Sequence, residues 1–130
     1  MAGSVFTKII AGEIPSYKVY EDDKTFAFLD IHPKQPGHVL VVPKTETDHI
    51  WDLPDSDYSA LMDTTKKVAN RIREVLHPSR VGVQVEGTGV PHAHVHVFPF
   101  STVEEFRFTP DMSADPDEAA LAEMAKKLAF

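Results

Sequence analysis

The stretch VPHAHVHVFPF, residues 90–100, places three of the chain's seven histidines at alternate positions, His92, His94 and His96. In an extended chain, alternate side chains lie on one face about 6.6 Å apart. The pattern therefore predicts a row of imidazoles on one face of a strand, with Ala93, Val95 and other apolar residues on the opposite face. Imidazole has an unperturbed pKa close to neutrality, so such a row can attack an electrophile, donate protons and bind anionic oxygens.

Three hypotheses account for the row. The first is a half-exposed strand that carries polar residues by chance, which three histidines in register disfavour. The second is a metal site, because two imidazoles two residues apart can share a zinc ion, although no obvious carboxylate or thiol partner lies nearby in the sequence. The third is covalent catalysis at phosphorus, in which one imidazole attacks and its neighbours manage charge and protons. The third hypothesis explains all three histidines.

A sheet must hold this row, and the distribution of β-branched and aromatic residues predicts one. The predicted strands are two in YKVYEDDKTFAFLD around the polar EDDK turn, then Val39–Val42, RVGVQVE and HAHVHVFPF. Short turns join most of them. An α+β domain with a mainly antiparallel, five-stranded sheet is therefore expected.

Two helices are predicted beside the sheet, and the short apolar segment VFTKII near the start is predicted to form a turn. Apolar residues at three- and four-residue steps indicate one long helix that begins after Pro54 and ends before Pro78. In the tail, Asp115 is the expected N-cap, with Pro116 in the first turn and Glu118 completing a capping box. The apolar face of this C-terminal helix consists of Leu121, Met124, Ala125 and Leu128.

Composition limits the function classes. The 130 residues predict a single domain, with residues from about 101 to 130 as a C-terminal extension. A net charge of -7 with scattered basic residues argues against nucleic-acid binding, and the absence of cysteine excludes disulfides and thiolate metal sites. Neither a leader-like N-terminus nor a long apolar run is present, so we expect a cytoplasmic protein without membrane attachment.

The segment HAHVHVF resembles the His-φ-His-φ-His-φ-φ pattern, with φ apolar, that defines the histidine triad family. The segment FTKIIAGEIPSYKVYEDDKTFAFLDIHPKQPGHVLVVPK is similar to the N-terminal half of the family's nucleotide-binding branch, and HIWDLPD resembles the segment that leads to its helix. The resemblance covers Val5 to about Phe100 and implies a hydrolase that transfers a nucleotidyl group to the middle histidine and then to water.

The resemblance implies a role for each histidine of the site. It assigns His94 as the nucleophile, His96 to contact with phosphate and leaving group, and His92 to orienting the nucleophile. His38, in PGHVLVV, corresponds to a fourth histidine near the site. Flanking imidazoles can stabilise phosphate oxygens without a metal, so we expect no metal or other cofactor. His32, His49 and His77 are expected to be structural or exposed.

The resemblance also implies how a nucleotide is bound. Asp30, in FLDIHP, takes the position of the carboxylate that accepts hydrogen bonds from the ribose hydroxyls. The residues that correspond to the family's base pocket are Phe6, Ile9, Ile14, Phe28 and Ile31. The expected partners are a purine ribonucleotide and a second copy of the chain, as a homodimer.

Two segments depart from the family pattern. Many members use two cysteines in Cys-φ-Phe-Cys to hold a structural zinc, whereas the matching SVFT has Ser4 and Thr7, so that zinc site is expected to be absent. The loop VEGTGVP before the triad is shorter than usual and lacks the common Gly-Gln-Ser set. Gln84 and Thr88 are the candidates to replace the lost phosphate contact.

The sequence therefore favours hydrolysis of a purine nucleoside phosphoramidate or a related nucleotidyl linkage through His94. Three alternatives remain open at this stage. They are a dinucleoside polyphosphate hydrolase, a nucleotide-binding module with little turnover, and a metal-binding protein that uses the same histidine row.

Overall fold

A five-stranded antiparallel sheet, in the strand order β1-β2-β3-β5-β4, carries the histidine segment. The structure is a computed structural model and describes residues 3–130. The strands are β1 (Lys18–Glu21), β2 (Thr25–Leu29), β3 (Val39–Pro43), β4 (Arg80–Gln84) and β5 (Val95–Phe100). The helices are α1 (Val5–Ile10), α2 (Asp55–Leu76), α3 (Val103–Arg107) and α4 (Glu118–Leu128), with a 3-10 turn at Ile50–Asp52. The predicted α+β class is confirmed.

The long helix α2 covers one face of the sheet, as its apolar periodicity predicts. Its buried residues Leu61, Val68 and Ile72 share one core cluster with the β5 residues Val95 and Val97. The helix begins directly after Pro54 and ends before Pro78, which confirms both predicted boundaries. This core holds the strand that follows the first two triad histidines.

The C-terminal helix α4 packs on α2 and on the edge strand β1. Its predicted apolar face is confirmed, with Leu121 and Leu128 buried. Its predicted N-cap is wrong: the helix begins at Glu118, and the side chain of Asp117 caps it by accepting a hydrogen bond from Ala120 N at 3.1 Å. Asp115 and Asp117 are equivalent by residue type, so the sequence pattern alone does not separate them.

Other elements also differ from expectation. VFTKII forms the helix α1 rather than a turn, because the side chain of Ser4 caps it by accepting from Thr7 N. The helix α3 was not predicted at all; Thr102 caps it. Strand β5 begins at Val95 rather than His92, because Ala93 N donates to Thr47 O in the segment after β3 and not within the sheet ladder.

Candidate active site

The histidine segment separates imidazoles from apolar side chains as the alternation predicts, although only His96 lies within a regular strand. Ala93, Val95 and Val97 are buried in the core under α2. The rings of His94 and His96 lie on the opposite side, 5.1 Å apart between centroids.

The ring of His94 is held through Nδ1, and its Nε2 has no hydrogen-bond partner in the part of the chain that the structure describes. Its Nδ1 lies 2.7 Å from the backbone oxygen of His92, and because a carbonyl oxygen only accepts, Nδ1 carries the proton of the neutral ring. The lone pair is therefore on Nε2. Phe6 packs edge-on against this ring at 5.0 Å, so the ring has little freedom to turn. His94 thus offers a buried, oriented nitrogen nucleophile.

A chain of hydrogen bonds places the proton of the His96 ring on Nε2, whereas the His94 ring carries its proton on Nδ1. The backbone N–H of Lys34 donates to His38 Nδ1 at 3.0 Å, so the neutral His38 ring carries its proton on Nε2. His38 Nε2 then donates to His96 Nδ1, also at 3.0 Å. The proton of His96 is consequently on Nε2. That Nε2 is buried and has no hydrogen-bond partner among the described residues, so it is a donor available to a ligand.

The rings of His38 and His96, which this hydrogen bond joins, are both neutral at physiological pH. Burial lowers the pKa of His38 to about 3, and the nearby His96 and Lys34 act in the same direction. Burial also lowers the pKa of His96 to about 4, assisted by His94. The chain of donors and acceptors is therefore stable well below pH 7.

Glycine is required at position 37, which brings His38 into the site. Gly37 has φ of +96°, a conformation that L side chains rarely adopt, and an added Cβ would lie 2.6 Å from the side chain of Leu76. The backbone N–H of His38 donates to Gln35 O and closes the turn.

His92 is fully buried and anchors the segment rather than facing a ligand. Its Nε2 donates to Pro43 O at 2.8 Å, so its Nδ1 accepts from the hydroxyl of Ser4 at 2.7 Å. Burial lowers the pKa of His92. The carbonyl oxygen that orients His94 therefore belongs to a residue that is itself held at both ring nitrogens.

The position of the family's structural zinc contains a hydroxyl and carboxylate cluster. The Oε1 of Glu46 accepts from Ser4 N at 2.7 Å and from Thr7 Oγ1 at 2.5 Å. Ser4 Oγ in turn bonds to His92. Zinc sites of this kind use thiolates, and these hydroxyls are engaged with one another and with Glu46, so the residues present do not fit that metal.

One cavity of about 420 Å³ collects most of the predicted ligand-binding residues. Its wall contains Asp30, His94 and His96. The five predicted base-pocket residues also line it, namely Phe6, Ile9, Ile14, Phe28 and Ile31. No lysine or arginine contributes to this wall within the described part of the chain. The cavity thus combines a largely apolar lining with three imidazoles, the third being that of His32, and with two carboxylates, the second being that of Glu86.

Asp30 lies between the cavity and the buried His38. Its Oδ1 accepts from the backbone N–H of His32 at 2.9 Å, and its Oδ2 is 3.7 Å from His38 Nε2. Burial raises the pKa of Asp30, and the hydrogen bond from His32 acts against that rise. Asp30, His38 and His96 bring potential ligand atoms within 4.8 Å of one another, so a carboxylate does lie beside the histidines, which the sequence did not reveal.

Gln84 and Thr88 are not brought into this cavity. Gln84 pairs with His96 across the β4–β5 ladder, but its Oε1 accepts from Lys34 Nζ at 3.1 Å. Thr88 bonds to the carboxylate of Glu86 and lines a neighbouring cavity that also borders His94. Within the described residues, neither side chain forms a hydrogen bond to His96.

Of the other three histidines, His32 lines the cavity that holds His94 and His96, whereas His49 and His77 do not. His49 and His77 are exposed, and His77 ends α2 in a left-handed conformation. His32 is half-buried, and its Nε2 is 3.0 Å from Ala114 O. Sequence patterns missed Ser4 as a partner of His92, and no local signal marks it, since the contact spans 88 positions.

Comparison with known proteins identifies the family of this chain. A family model described as the HIT domain matches residues 11–103. The chain belongs to the histidine triad family. Protein hit of Bacillus subtilis is 38% identical over 100 residues, covering 73% of this chain and 69% of that protein.

Adenosine 5'-monophosphoramidase HNT1 of Candida albicans is 36% identical over 107 residues, covering 75% of this histidine triad chain and 70% of the yeast protein. A crystal structure of a Hit-like protein involved in cell-cycle regulation, from Bartonella henselae, superposes with a TM-score of 0.83. That protein is 29% identical, and the match covers 96% of this chain and 93% of the other. Over residues 3–130, none of the helices combines the length and apolar character needed to cross a bilayer.

Proposed function

We propose that this protein hydrolyses purine nucleoside phosphoramidates, or a closely related nucleotidyl linkage, through a covalent intermediate on His94. The observation that carries the proposal is the pairing of two nitrogens in one cavity. His94 presents an unprotonated Nε2, and His96 presents a protonated Nε2 that has no partner within residues 3–130. A nucleophile and a hydrogen-bond donor are what displacement at a phosphate ester needs. The name of the Candida albicans relative supports the same reaction class.

In the first step, the lone pair of His94 Nε2 forms a bond to phosphorus, and the phosphorus–nitrogen bond of the substrate breaks. The electron pair of that bond stays with the leaving amine, which takes a proton from solvent. The ring of His94 becomes positively charged, and the carbonyl of His92 stabilises that charge through Nδ1–H. The Nε2–H of His96 donates to a phosphate oxygen as negative charge develops there.

In the second step, water attacks phosphorus and the bond to His94 Nε2 breaks. The electron pair returns to Nε2, water loses a proton to solvent, and the nucleoside monophosphate leaves. Because burial lowers the pKa of His96 to about 4, its ring is a neutral donor when the substrate binds. We assign it hydrogen bonding rather than proton delivery.

The rest of the cavity suits a nucleoside. Its aromatic and branched residues offer an apolar surface to a flat base, and Asp30 offers two acceptor oxygens to a ribose diol. The lack of cationic side chains in the described wall disfavours a chain of phosphates, so a substrate with one phosphate fits better than a dinucleoside polyphosphate.

The test compares kcat/KM for adenosine 5'-phosphoramidate and for diadenosine tetraphosphate, with protein dialysed against EDTA and with His94→Asn as the inactive control. We expect the phosphoramidate to be cleaved at least about a hundredfold more efficiently, without added metal. Preference for the tetraphosphate would reassign the substrate. Binding without turnover would indicate a nucleotide-binding module, and activity restored only by zinc would indicate a metal-dependent protein.

We further propose that the chain is one domain that assembles as a homodimer. α4 packs back onto α2 and β1, which supports a single unit. At the edge β1, Phe130 N donates to Val19 O, whereas β4 and the residue after it expose Val83 and Val85. An exposed apolar edge strand favours pairing with another chain. Sedimentation equilibrium should give twice the chain mass of 14.5 kDa, and a monomer at all concentrations would refute the dimer.

A further inference from the structure

The segment between α3 and α4 forms part of the ligand cavity. It has no helix or strand, and it lies beyond residue 103, where the match to the family model ends. Met112, in the middle of this segment, lines the cavity together with Ile31 and His32. Its side chain is 66% exposed, so a large part of its surface is available to a ligand.

Met112 is presented by a hydrogen-bonded turn. Ala114 N donates to Asp111 O at 3.2 Å, which closes the four-residue turn 111–114. Asp111 Oδ1 also accepts from the backbone N–H of Ser113 at 3.0 Å and from its hydroxyl at 2.7 Å. Met112 occupies the second position of this turn, so its backbone is constrained although its side chain is free to adapt.

His32 joins the turn to the proposed ribose site. Its Nε2 lies 3.0 Å from Ala114 O and must donate, because a carbonyl oxygen only accepts. The backbone N–H of the same residue donates to Asp30 Oδ1 at 2.9 Å. One residue therefore contacts both the carboxylate on the inner side of the cavity and the turn on its outer side.

We propose that the turn 111–114 is the outer wall of the base site, that Met112 covers the face of the bound base, and that His32 is the residue that positions the turn. This proposal rests on the proposed function, since it assumes a nucleotide in the cavity. A polarizable thioether on a flexible stem suits the face of a flat aromatic ring. The contact is with the base, and the ribose and the phosphate are bound without it.

The first experiment measures binding of AMP and of ribose 5-phosphate by calorimetry, the latter by competition with AMP. Met112→Ala should weaken AMP about three- to tenfold, because part of an apolar contact is lost, and should leave ribose 5-phosphate unchanged. Met62→Ala is the matched control, since Met62 is a surface methionine on α2 away from the cavity, and it should change neither affinity.

The second experiment tests the positioning role of His32. His32→Phe removes the hydrogen bond to Ala114 O and should weaken AMP to a similar extent, whereas His32→Gln retains a side-chain N–H donor and should restore most of the affinity. In the background of Met112→Ala, His32→Phe should cause little further loss, because both changes act on the same contact.

The outcomes separate this proposal from the proposed function. Equal AMP affinity for wild type and Met112→Ala overturns the role of Met112 and leaves the hydrolase proposal standing. Equal loss of AMP and ribose 5-phosphate also overturns it, because the effect is then general rather than specific to the base. If wild type binds neither ligand, the proposed function itself fails and this inference with it.

Discussion

The apolar face of the histidine segment is fully buried and the polar face mostly so, but the two are held by different forces. On the α2 side, Val95 and Val97 are packed among aliphatic side chains, an interaction that has no required direction. On the other side, His92 and His94 are held by hydrogen bonds whose donors and acceptors are fixed by atom type. The apolar face anchors the backbone, and the polar face uses that anchored backbone to aim individual nitrogens.

This difference explains why two neighbouring imidazoles have opposite properties. His94 donates through Nδ1 to a backbone carbonyl, whereas His96 accepts at Nδ1 from His38. The free Nε2 is consequently a lone pair in one ring and an N–H in the other. The same residue type therefore provides both the nucleophile and the donor, and the choice between them depends on contacts distant in sequence.

The largest expected effect on the polar face comes from His94→Asn. Asn can still donate to the carbonyl of His92, but it cannot form the covalent intermediate, so turnover of adenosine 5'-phosphoramidate should fall by about 10^4-fold or more. The free energy of unfolding and the AMP affinity should stay close to wild type. Wild-type turnover in purified His94→Asn would eliminate the nucleophile assignment.

On the apolar face, Leu61→Ala should reduce the stability of the protein but not its turnover. Leu61 is fully buried between α2 and the sheet, and removing it leaves a cavity, so the free energy of unfolding should fall by about 2–5 kcal/mol. Turnover per folded molecule should remain within about twofold of wild type. Met62→Ala, one position along on the outer side of the helix, is the control and should cost under about 0.5 kcal/mol. Denaturant unfolding with parallel activity assays measures both, and a stable but inactive Leu61→Ala would contradict the separation of the faces.

A smaller effect is expected for sugar recognition by Asp30. Loss of one hydrogen bond to a charged acceptor costs about 1.5–3 kcal/mol, so AMP should bind about ten- to a hundredfold more tightly than 2'-deoxy-AMP. Asp30→Ala should largely remove that difference. Calorimetric titration of both ligands into both proteins checks the prediction, and equal affinities in the wild type would refute the role of Asp30.

The pH dependence of stability should reveal the buried neutral rings. His38 and His96 have folded pKa values of about 3 and 4, below the unfolded value of 6.5, so between pH 6.5 and 5 the unfolded chain binds protons that the folded chain does not. The free energy of unfolding should therefore fall as the pH falls, by about 1.5 kcal/mol for each ring over that interval. Above pH 7 the rings are neutral in both states, and this loss of stability is absent. In His38→Asn one of the two rings is gone, so the free energy of unfolding should fall by about 1.5 kcal/mol less over the same pH interval. Identical pH profiles for the two proteins would show that His38 is not buried neutral.

The sequence predicted those parts of the molecule that depend on periodicity. Alternation separates the histidines from Val95 and Val97, and the helical spacing of apolar residues gives the extent of α2, because each pattern is local. The sequence pattern places the N-cap of α4 at Asp115, two residues before the observed Asp117, because both aspartates suit the role equally. The helix α3, only five residues long, has no comparable signal.

The sequence does not predict which ring nitrogen of each site histidine carries the proton. These proton positions depend on Ser4 for His92 and on Lys34 N–H for His38, and such contacts are set by how loops close in three dimensions. The family resemblance points to most of the residues that line the cavity. It does not point to Met112, which lies outside the region that matches the family model.

The central claim is that His94 Nε2 forms a bond to phosphorus, and mass spectrometry of the base-quenched protein tests it most directly. Wild-type protein mixed with adenosine 5'-phosphoramidate for milliseconds to seconds should gain one adenylyl group, which peptide mapping places on His94. His94→Asn should gain none, and His96→Asn should gain it more slowly, since it keeps the nucleophile but loses the Nε2–H donor. An adenylyl group on another residue, or wild-type turnover without any adduct under quench conditions that preserve a phosphohistidine standard, would contradict the account.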